Sequence, residues 1–352
     1  NAGGAGLDIT EVFSTYLYVG TGDEAQKTIV NGVDLEGEGG LVWTKSRTNT
    51  QSNTLGDSES GLQYYLHTNS TVGHTDAVTA YYNAFNNNGY TIGNSEATTN
   101  ELNSLNQNFV SWTFRKAKQF FDIVTYTGNG VAGREIAHSL DSVPGMIIVK
   151  RTDDAQSWVV YHRGLNNGSS PEDYGIILNT TAGQSNQSLY WNDTAPTDTN
   201  FTLGSAGSVN GDGRTYVAYV FAHHNNDGEF GPDADKDVIK CGNYTGNGTD
   251  KTTIDLGFEA QWVLLKRSDG ATDWWILDTM RDLRVRQDSS QYLEANTVNA
   301  EAASGQVFAD NQGFMVDAGD YNSNGEKYIY MAIRRGPLFP PEAATEVFAM
   351  DI

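Results

Sequence analysis

The chain has 352 residues, 38% of them hydrophobic and 19% charged, with 44 acidic against 22 basic side chains and a net charge of −22. That acidity opposes contact with a phosphate backbone, so no nucleic-acid partner is expected. Cys241 is the one cysteine, which excludes an internal disulfide and a cysteine-based metal cage, and no apolar run of about 18 residues is present to cross a membrane as a helix. Length predicts roughly two or three domains. The 38 glycines and 18 tyrosines, with Asn, Thr and Ser between the apolar runs, predict short strands and polar turns rather than long helices.

In chain order the sequence states one pattern three times. The first statement runs Tyr18-Val19-Gly20-Thr21-Gly22, then Gly40-Leu41-Val42-Trp43-Thr44-Lys45-Ser46-Arg47, then Leu66-His67-Thr68-Asn69, Gly89-Tyr90-Thr91-Ile92-Gly93 and a closing strand from Asn108 to Arg115. The second has Tyr126-Thr127-Gly128-Asn129-Gly130, Gly145-Met146-Ile147-Ile148-Val149-Lys150-Arg151, Leu178-Asn179-Thr180, Phe201-Thr202-Leu203-Gly204 and a close from Thr215 to Phe221. The third has Tyr244-Thr245-Gly246-Asn247-Gly248, Gln261-Trp262-Val263-Leu264-Leu265-Lys266-Arg267, Leu293-Glu294-Ala295-Asn296-Thr297, Gly313-Phe314-Met315-Val316 and a close from Lys327 to Arg334. Chance does not preserve that order three times.

The repeat predicts an all-β chain of three tandem antiparallel β-sandwich domains of jelly-roll or concanavalin-like type, over 1–118, 119–232 and 233–340. A tail, 341–352, resembles the start of a further repeat. Met146–Val149 and Val263–Leu265 read as strands buried on both faces, and Trp43 and Trp262 as core. Each Gly-Asn-Gly predicts a tight hairpin, because glycine and asparagine tolerate positive φ. Linkers are expected near Lys116–Gln119 and in the acidic stretch Asn225–Asp237, and short helical turns near Asn100–Leu105 and Asp278–Arg286. Thr10-Glu11-Val12-Phe13 returns as Thr345-Glu346-Val347-Phe348, and the first residue is Asn1. Two expectations follow: the chain is cut from a longer array, or its tail completes a sheet in a neighbouring subunit.

Candidate chemistry is sparse. Asp233, Asp235 and Asp237 place carboxylates at alternate positions, a set read first as an acidic solvated linker and second as a Ca²⁺ site, since the EF-hand ligand order and closing Glu are missing; no other cofactor is required. The six histidines form no His-Glu-x-x-His pattern, no carboxylate pair recurs in the three copies, and there is no phosphate-binding loop or nucleophile elbow, so no enzyme is expected. Neighbouring aromatics point to opposite faces of an extended strand. One member of each of Tyr81-Tyr82, Tyr190-Trp191 and Trp274-Trp275 can therefore reach the surface, with core packing the expected fate of most, and Tyr82, Tyr190, Trp191, Trp274 and Trp275 are the candidates for stacking on sugars or anchoring an interface. Lys45, Lys150 and Lys266, each followed closely by Arg47, Arg151 and Arg267, predict structural ion pairs within a domain or between domains.

Gly37-Glu38-Gly39-Gly40-Leu41-Val42-Trp43, Tyr126 to Arg134, Val143 to Lys150, Trp158-Val159-Val160-Tyr161-His162-Arg163, Tyr216 to Phe221 and Leu256 to Trp262 resemble a family of tailed-bacteriophage virion proteins of marine-phage type, tail-fibre or related structural proteins. The resemblance implies a virion location and a homo-oligomer touching other virion proteins and, through loop aromatics, host-surface polysaccharide. It brings no catalytic residues. The expected function is a tail-fibre or tail-appendage component. The alternatives are a capsid decoration or tail-shaft protein with no receptor role, and a secreted bacterial adhesin or filament subunit.

Overall fold

Each repeat resolves into one large and one small antiparallel sheet. The computed structural model describes residues 6–22, 26–76, 81–93, 101–285 and 289–339; the echo at Thr345–Phe348 and the ends of two predicted turns, Asn100 and Arg286, lie outside them. The first unit opens with a single helical turn, α1 (Ile9–Val12), and continues through β1 (Phe13–Val19), β2 (Lys27–Val30), β3 (Gly40–Ser46), β4 (Thr54–Asp57), β5 (Tyr64–His67), β6 (Thr75–Asp76), β7 (Tyr82–Asn86), β8 (Gly89–Ile92) and β9 (Asn108–Arg115). Its large sheet has the order β1-β9-β3-β4-β5-β6 and its small sheet β2-β8-β7.

The second unit runs β10 (Phe121–Thr127), β11 (Arg134–Ala137), β12 (Pro144–Arg151), β13 (Val159–His162), β14 (Tyr174–Ile177), β15 (Ser185–Asn186), α2 (Ser188–Trp191), β16 (Asn200–Leu203), α3 (Gly207–Asn210) and β17 (Thr215–Ala222). The third runs β18 (Ile239–Thr245), β19 (Thr252–Asp255), β20 (Ala260–Arg267), β21 (Trp275–Asp278), β22 (Ser290–Glu294), β23 (Ala302–Ser304), β24 (Val307–Asp310), β25 (Gly313–Val316) and β26 (Lys327–Arg334). Their large sheets, β10-β17-β12-β13-β14-β15 and β18-β26-β20-β21-β22-β23, repeat the order of the first; the small sheets are β11-β16 and β19-β25-β24. The protein is thus all-β, six antiparallel sheets in three sandwich-like units.

The apolar runs in β3, β12 and β20 have a physical cause: these central strands of the large sheets are buried on both faces. In the third unit Val263 and Leu265 face the small sheet, while the alternating Trp262 and Leu264 enter a core shared by all three units. In the first, Val42 faces its own small sheet, and Leu41 and Trp43 join the shared core. The units meet at aromatic rings, with Phe114 of the first 5.5 Å from Phe221 of the second and 5.8 Å from Trp262 of the third.

The Gly-Asn-Gly turns are not hairpins. β10 lies in the large sheet and β11 in the small one, so the turn is a crossover between sheets. It is held by a buried asparagine that faces it from before the closing strand: Asn210 Oδ1, at the end of α3, accepts from the Asn129 N–H at 3.0 Å, and Asn322 and Asn103 do the same for Asn247 and Thr21 at 3.1 and 2.8 Å. The first glycine of each turn lies so close to the opposite backbone that a Cβ on Gly20, Gly128 or Gly246 would collide with a carbonyl oxygen. At the start of the chain, α1 has a capping box: Asp8 accepts from the Thr10 N–H, and Glu11 reaches back to the Asp8 N–H. Asp8 also accepts from the Leu338 and Phe339 N–H groups at 2.6 and 3.0 Å, which joins the first unit to the end of the third.

Candidate binding groove and the seams between units

The three units touch through three equivalent seams. At the first, the His74 N–H donates to Thr152 O and the Gln156 N–H to Thr71 O; at the second, the Gln184 N–H donates to Ser268 O and the Thr272 N–H to Thr181 O; at the third, the Glu301 N–H donates to Arg47 O. The repeated lysine sits at each of them. Lys45 donates across to Val298 O at 3.0 Å, Lys150 to Thr71 O at 2.9 Å and Lys266 to Thr181 O at 3.1 Å. Unit one therefore reaches unit three, unit two reaches unit one, and unit three reaches unit two, closing a ring. The expected lysine ion pairs are corrected here: the ammonium partners are backbone carbonyls. Burial draws the lysines down to about 8, 8 and 7 for Lys45, Lys150 and Lys266. The arginines do pair with carboxylates, Arg151 with Asp153 and Arg267 with Asp269 and Glu326, and Arg47 crosses the third seam to Glu301 at 2.7 Å.

A second set of seam contacts comes from the ends of β4, β13 and β21. Asp57 accepts from the Tyr219 hydroxyl at 2.8 Å, His162 Nε2 lies 2.9 Å from Tyr330 O, and Asp278 accepts from Trp112 Nε1 at 2.9 Å. Asp278 also binds the fully buried Arg281, which continues to Glu301 at 3.1 Å. Each seam thus has its own polar pair at one equivalent position. Sequence reading missed the three β-strand ends, because nothing local marks a polar residue whose partner lies in another repeat, and it missed Arg281, whose partners Asp278 and Glu301 are in its own unit but become buried only when the units pack.

Most of the aromatic candidates are not at the surface. Tyr82, Trp191 and Trp274 are 2, 2 and 1% exposed, so none of them is available to stack on a sugar. Tyr82 fills the first unit's core beneath Gly56. Trp191 packs on Tyr161, and Trp274 Nε1 donates across a seam to Ile177 O at 3.2 Å. In the pairs Tyr81-Tyr82 and Tyr190-Trp191 the half-buried member is the tyrosine Tyr81 or Tyr190, while Tyr82 on the small sheet and Trp191 on α2 turn inward; Trp274 and Trp275 are both buried, on opposite faces of the third large sheet. Tyr190 is half-buried and its ring covers Gly175.

Trp275 lines a groove of about 390 Å³ on the third unit. β21 and β22 place Trp275 opposite Glu294, on the sheet face away from the shared core that holds Ile276 and Leu293. Tyr292 stacks on Trp275 with ring centroids 3.9 Å apart, and Tyr321 lies at 4.1 Å. Trp275 is 7% exposed and Tyr321 1%, while Tyr292 is half-buried, so Tyr292 is the ring this stack presents. Burial first, then Glu294, raises the Tyr292 phenol above its ordinary value. The polar wall includes Asp273, Glu294, Asp320 and Glu326, with Arg267 paired to Glu326 at 2.7 Å. In the first unit the equivalent tyrosine, Tyr65, is covered by Tyr81 at 3.9 Å; beside it His67 pairs with Glu101 at 2.7 Å. In the second unit the position is Gly175, sealed by Tyr190 from α2.

The acidic stretch does not gather a cation site. Asp233 and Asp235 are exposed, and Asp235 pairs with Lys236 at 2.7 Å. Asp237 turns inward to accept from the Asn226 and Gly228 N–H groups and meets Lys240 at 3.3 Å. Among the described residues no three His, Cys, Asp or Glu side chains converge on a metal position. A second cavity, of about 800 Å³, has His223, His224, Arg163 and Glu172 on its wall. Its histidines hold backbone: His223 Nδ1 accepts from the Cys241 N–H, while His224 Nδ1 accepts from the Val238 N–H and its Nε2 lies 2.6 Å from Gln119 O. Burial depresses both, His223 to about 3, so neither is poised as a base.

Fold and groove together define an all-β protein of three tandem sandwich-like units. The chain belongs to the family described as Domain of unknown function (DUF7483), whose model matches residues 8–337 and so takes in all three units. Neither the curated proteins nor the solved structures gave a match.

Proposed function

We propose that the chain is a structural protein of a tailed-bacteriophage virion, a tail-fibre or tail-appendage component that self-associates and meets the host surface. The observation that carries this reading is the closed ring. Three sandwiches share one apolar core and bind one another through buried lysines and paired polar groups, which suits a rigid building block. The polar groups of the ring are spent on structure, and the histidines of the second cavity are spent on backbone. The groove on the third unit offers an aromatic face and hydrogen-bonding groups, which suits contact better than turnover. The sequence phrases resembling marine-phage tail proteins point the same way.

Immunogold electron microscopy of intact particles with an antibody against this chain tests the location. Gold on the tail tip or fibres is expected. Label on the capsid or along the shaft would make the chain a structural element without a receptor role, and unlabelled particles would remove the virion assignment.

A further inference from the structure

We infer that the groove on the third unit binds a neutral, non-anionic oligosaccharide, with Tyr292 as the stacking platform. This deepens the host-contact half of the proposed function and does not depend on where in a virion the chain sits. Three observations lead to it. The first is the platform. Tyr292 lies against Trp275 at 3.9 Å and 18° between planes, and Trp275 against Tyr321 at 4.1 Å. A phenol backed by two further rings is fixed in orientation, and one half-exposed aromatic face suits the flat apolar side of a pyranose.

The second is the wall. Asp273, Glu294 and Asp320 line the groove as hydrogen-bond acceptors, and sugar hydroxyls are donors that match them. Asp273 Oδ1 is held by the Asn296 side chain at 2.7 Å, and Glu294 Oε2 by Thr297 and Asn299 at 2.7 and 2.9 Å. Asp320 is exposed at the rim. The one cation in the wall, Arg267, is already bound to Asp269 and Glu326. Uronates, sialic acids and phosphosugars would meet uncompensated carboxylates here and a chain of net charge −22 at longer range.

The third is a comparison among the repeats. The same location is covered by Tyr81 in the first unit and sealed by Tyr190 in the second. A quaternary-ammonium cage is the competing use of aromatics beside carboxylates. It requires rings standing apart around the cation, and these rings are in contact with one another, leaving no space between them.

The test is isothermal titration of the full chain with neutral glucan, mannan and galactan oligosaccharides of three to five sugars, with oligogalacturonate, and with choline. Saturable binding of at least one neutral series is expected, with oligogalacturonate at least tenfold weaker. Tyr292→Ala should weaken binding at least tenfold, and the rim variant Asp320→Asn at least threefold. Urea denaturation of both variants checks the fold; if Tyr292→Ala does not fold, Asp320→Asn decides. The inference is overturned by no binding of any neutral series at 10 mM, by binding that Asp320→Asn and a folded Tyr292→Ala leave unchanged, or by preference for oligogalacturonate or choline. Sugar binding without gold on the particle would sink the virion reading alone, and gold without sugar binding would sink the groove alone.

Discussion

His162 shows how one side chain can make the ring sensitive to acid. It is 1% exposed, its Nδ1 accepts from the Gly164 N–H at 3.0 Å, and its Nε2 faces Tyr330 O across the second seam. Both bonds are satisfied only by the neutral ring, since a proton on Nδ1 would point at an N–H. Burial, the largest cause, and the nearby Arg163 together lower its pKa from 6.5 to about 4 against the opposing hydrogen bond to Tyr330 O. A depressed native pKa means that the unfolded chain binds more protons between those two values, so stability is full above pH 6.5 and falls as pH drops toward 4. From pH 7 to pH 5 this one residue should remove about 2 kcal/mol of unfolding free energy. Urea denaturation at the two pH values measures it, and His162→Gln should flatten the slope by that amount. His74, lowered to about 4 by burial at the first seam, adds to the slope in the same direction.

Among the elements, β3, β12 and β20 decide how the units join. Each delivers a lysine to its end, and the charge is held by carbonyls, at least one of them from another unit. Lys150 reaches Thr71 O, Arg151 O and Gln156 O at 2.9, 2.9 and 3.0 Å, which uses all three ammonium protons. Lys150→Met fills the space but removes the donors. We expect a loss of about 2 kcal/mol, because bonds to a charged donor are lost while its desolvation cost is relieved. Hydrogen exchange should localise the change, with the His74 and Gln156 amides exchanging at least tenfold faster while those of β2 and β8 keep their rate. Equal acceleration in β2 and β8 would mean that the lysine supports the whole molecule rather than a seam. The recurrence of the lysines was legible in the sequence, but their partners were not. A repeat shows which residue is reused and says nothing of the carbonyl that will face it from another copy. The aromatic pairs misled for a related reason: alternation tells which side chains share a face, and only packing tells whether a face meets water.

For the whole molecule, the shared core makes independent unfolding of the units costly. Trp112, Trp158, Trp262 and Trp274, from three different units, lie in one buried cluster. Removing any unit would expose the inner face of the other two large sheets. Thermal unfolding should therefore proceed as one transition, with tryptophan fluorescence and far-ultraviolet circular dichroism coinciding. A fragment carrying residues 1–232 alone should lose that transition or aggregate, since the faces holding Trp43 and Trp158 would be left without the third unit. Two or three resolved transitions in the intact chain would show the units to be separate domains on a string.

The order of phrases repeated three times, the all-β class and the double burial of β12 and β20 were determined by sequence, because strand periodicity, turn residues and apolar runs are local properties. The asparagine clamp on each glycine turn, the ring of seams and the aromatic groove on the third unit were decided by tertiary structure. Asn210 and Asn129, Lys150 and Thr71, and Tyr292 and Tyr321 are distant in the chain and acquire their meaning only where sheets and units pack.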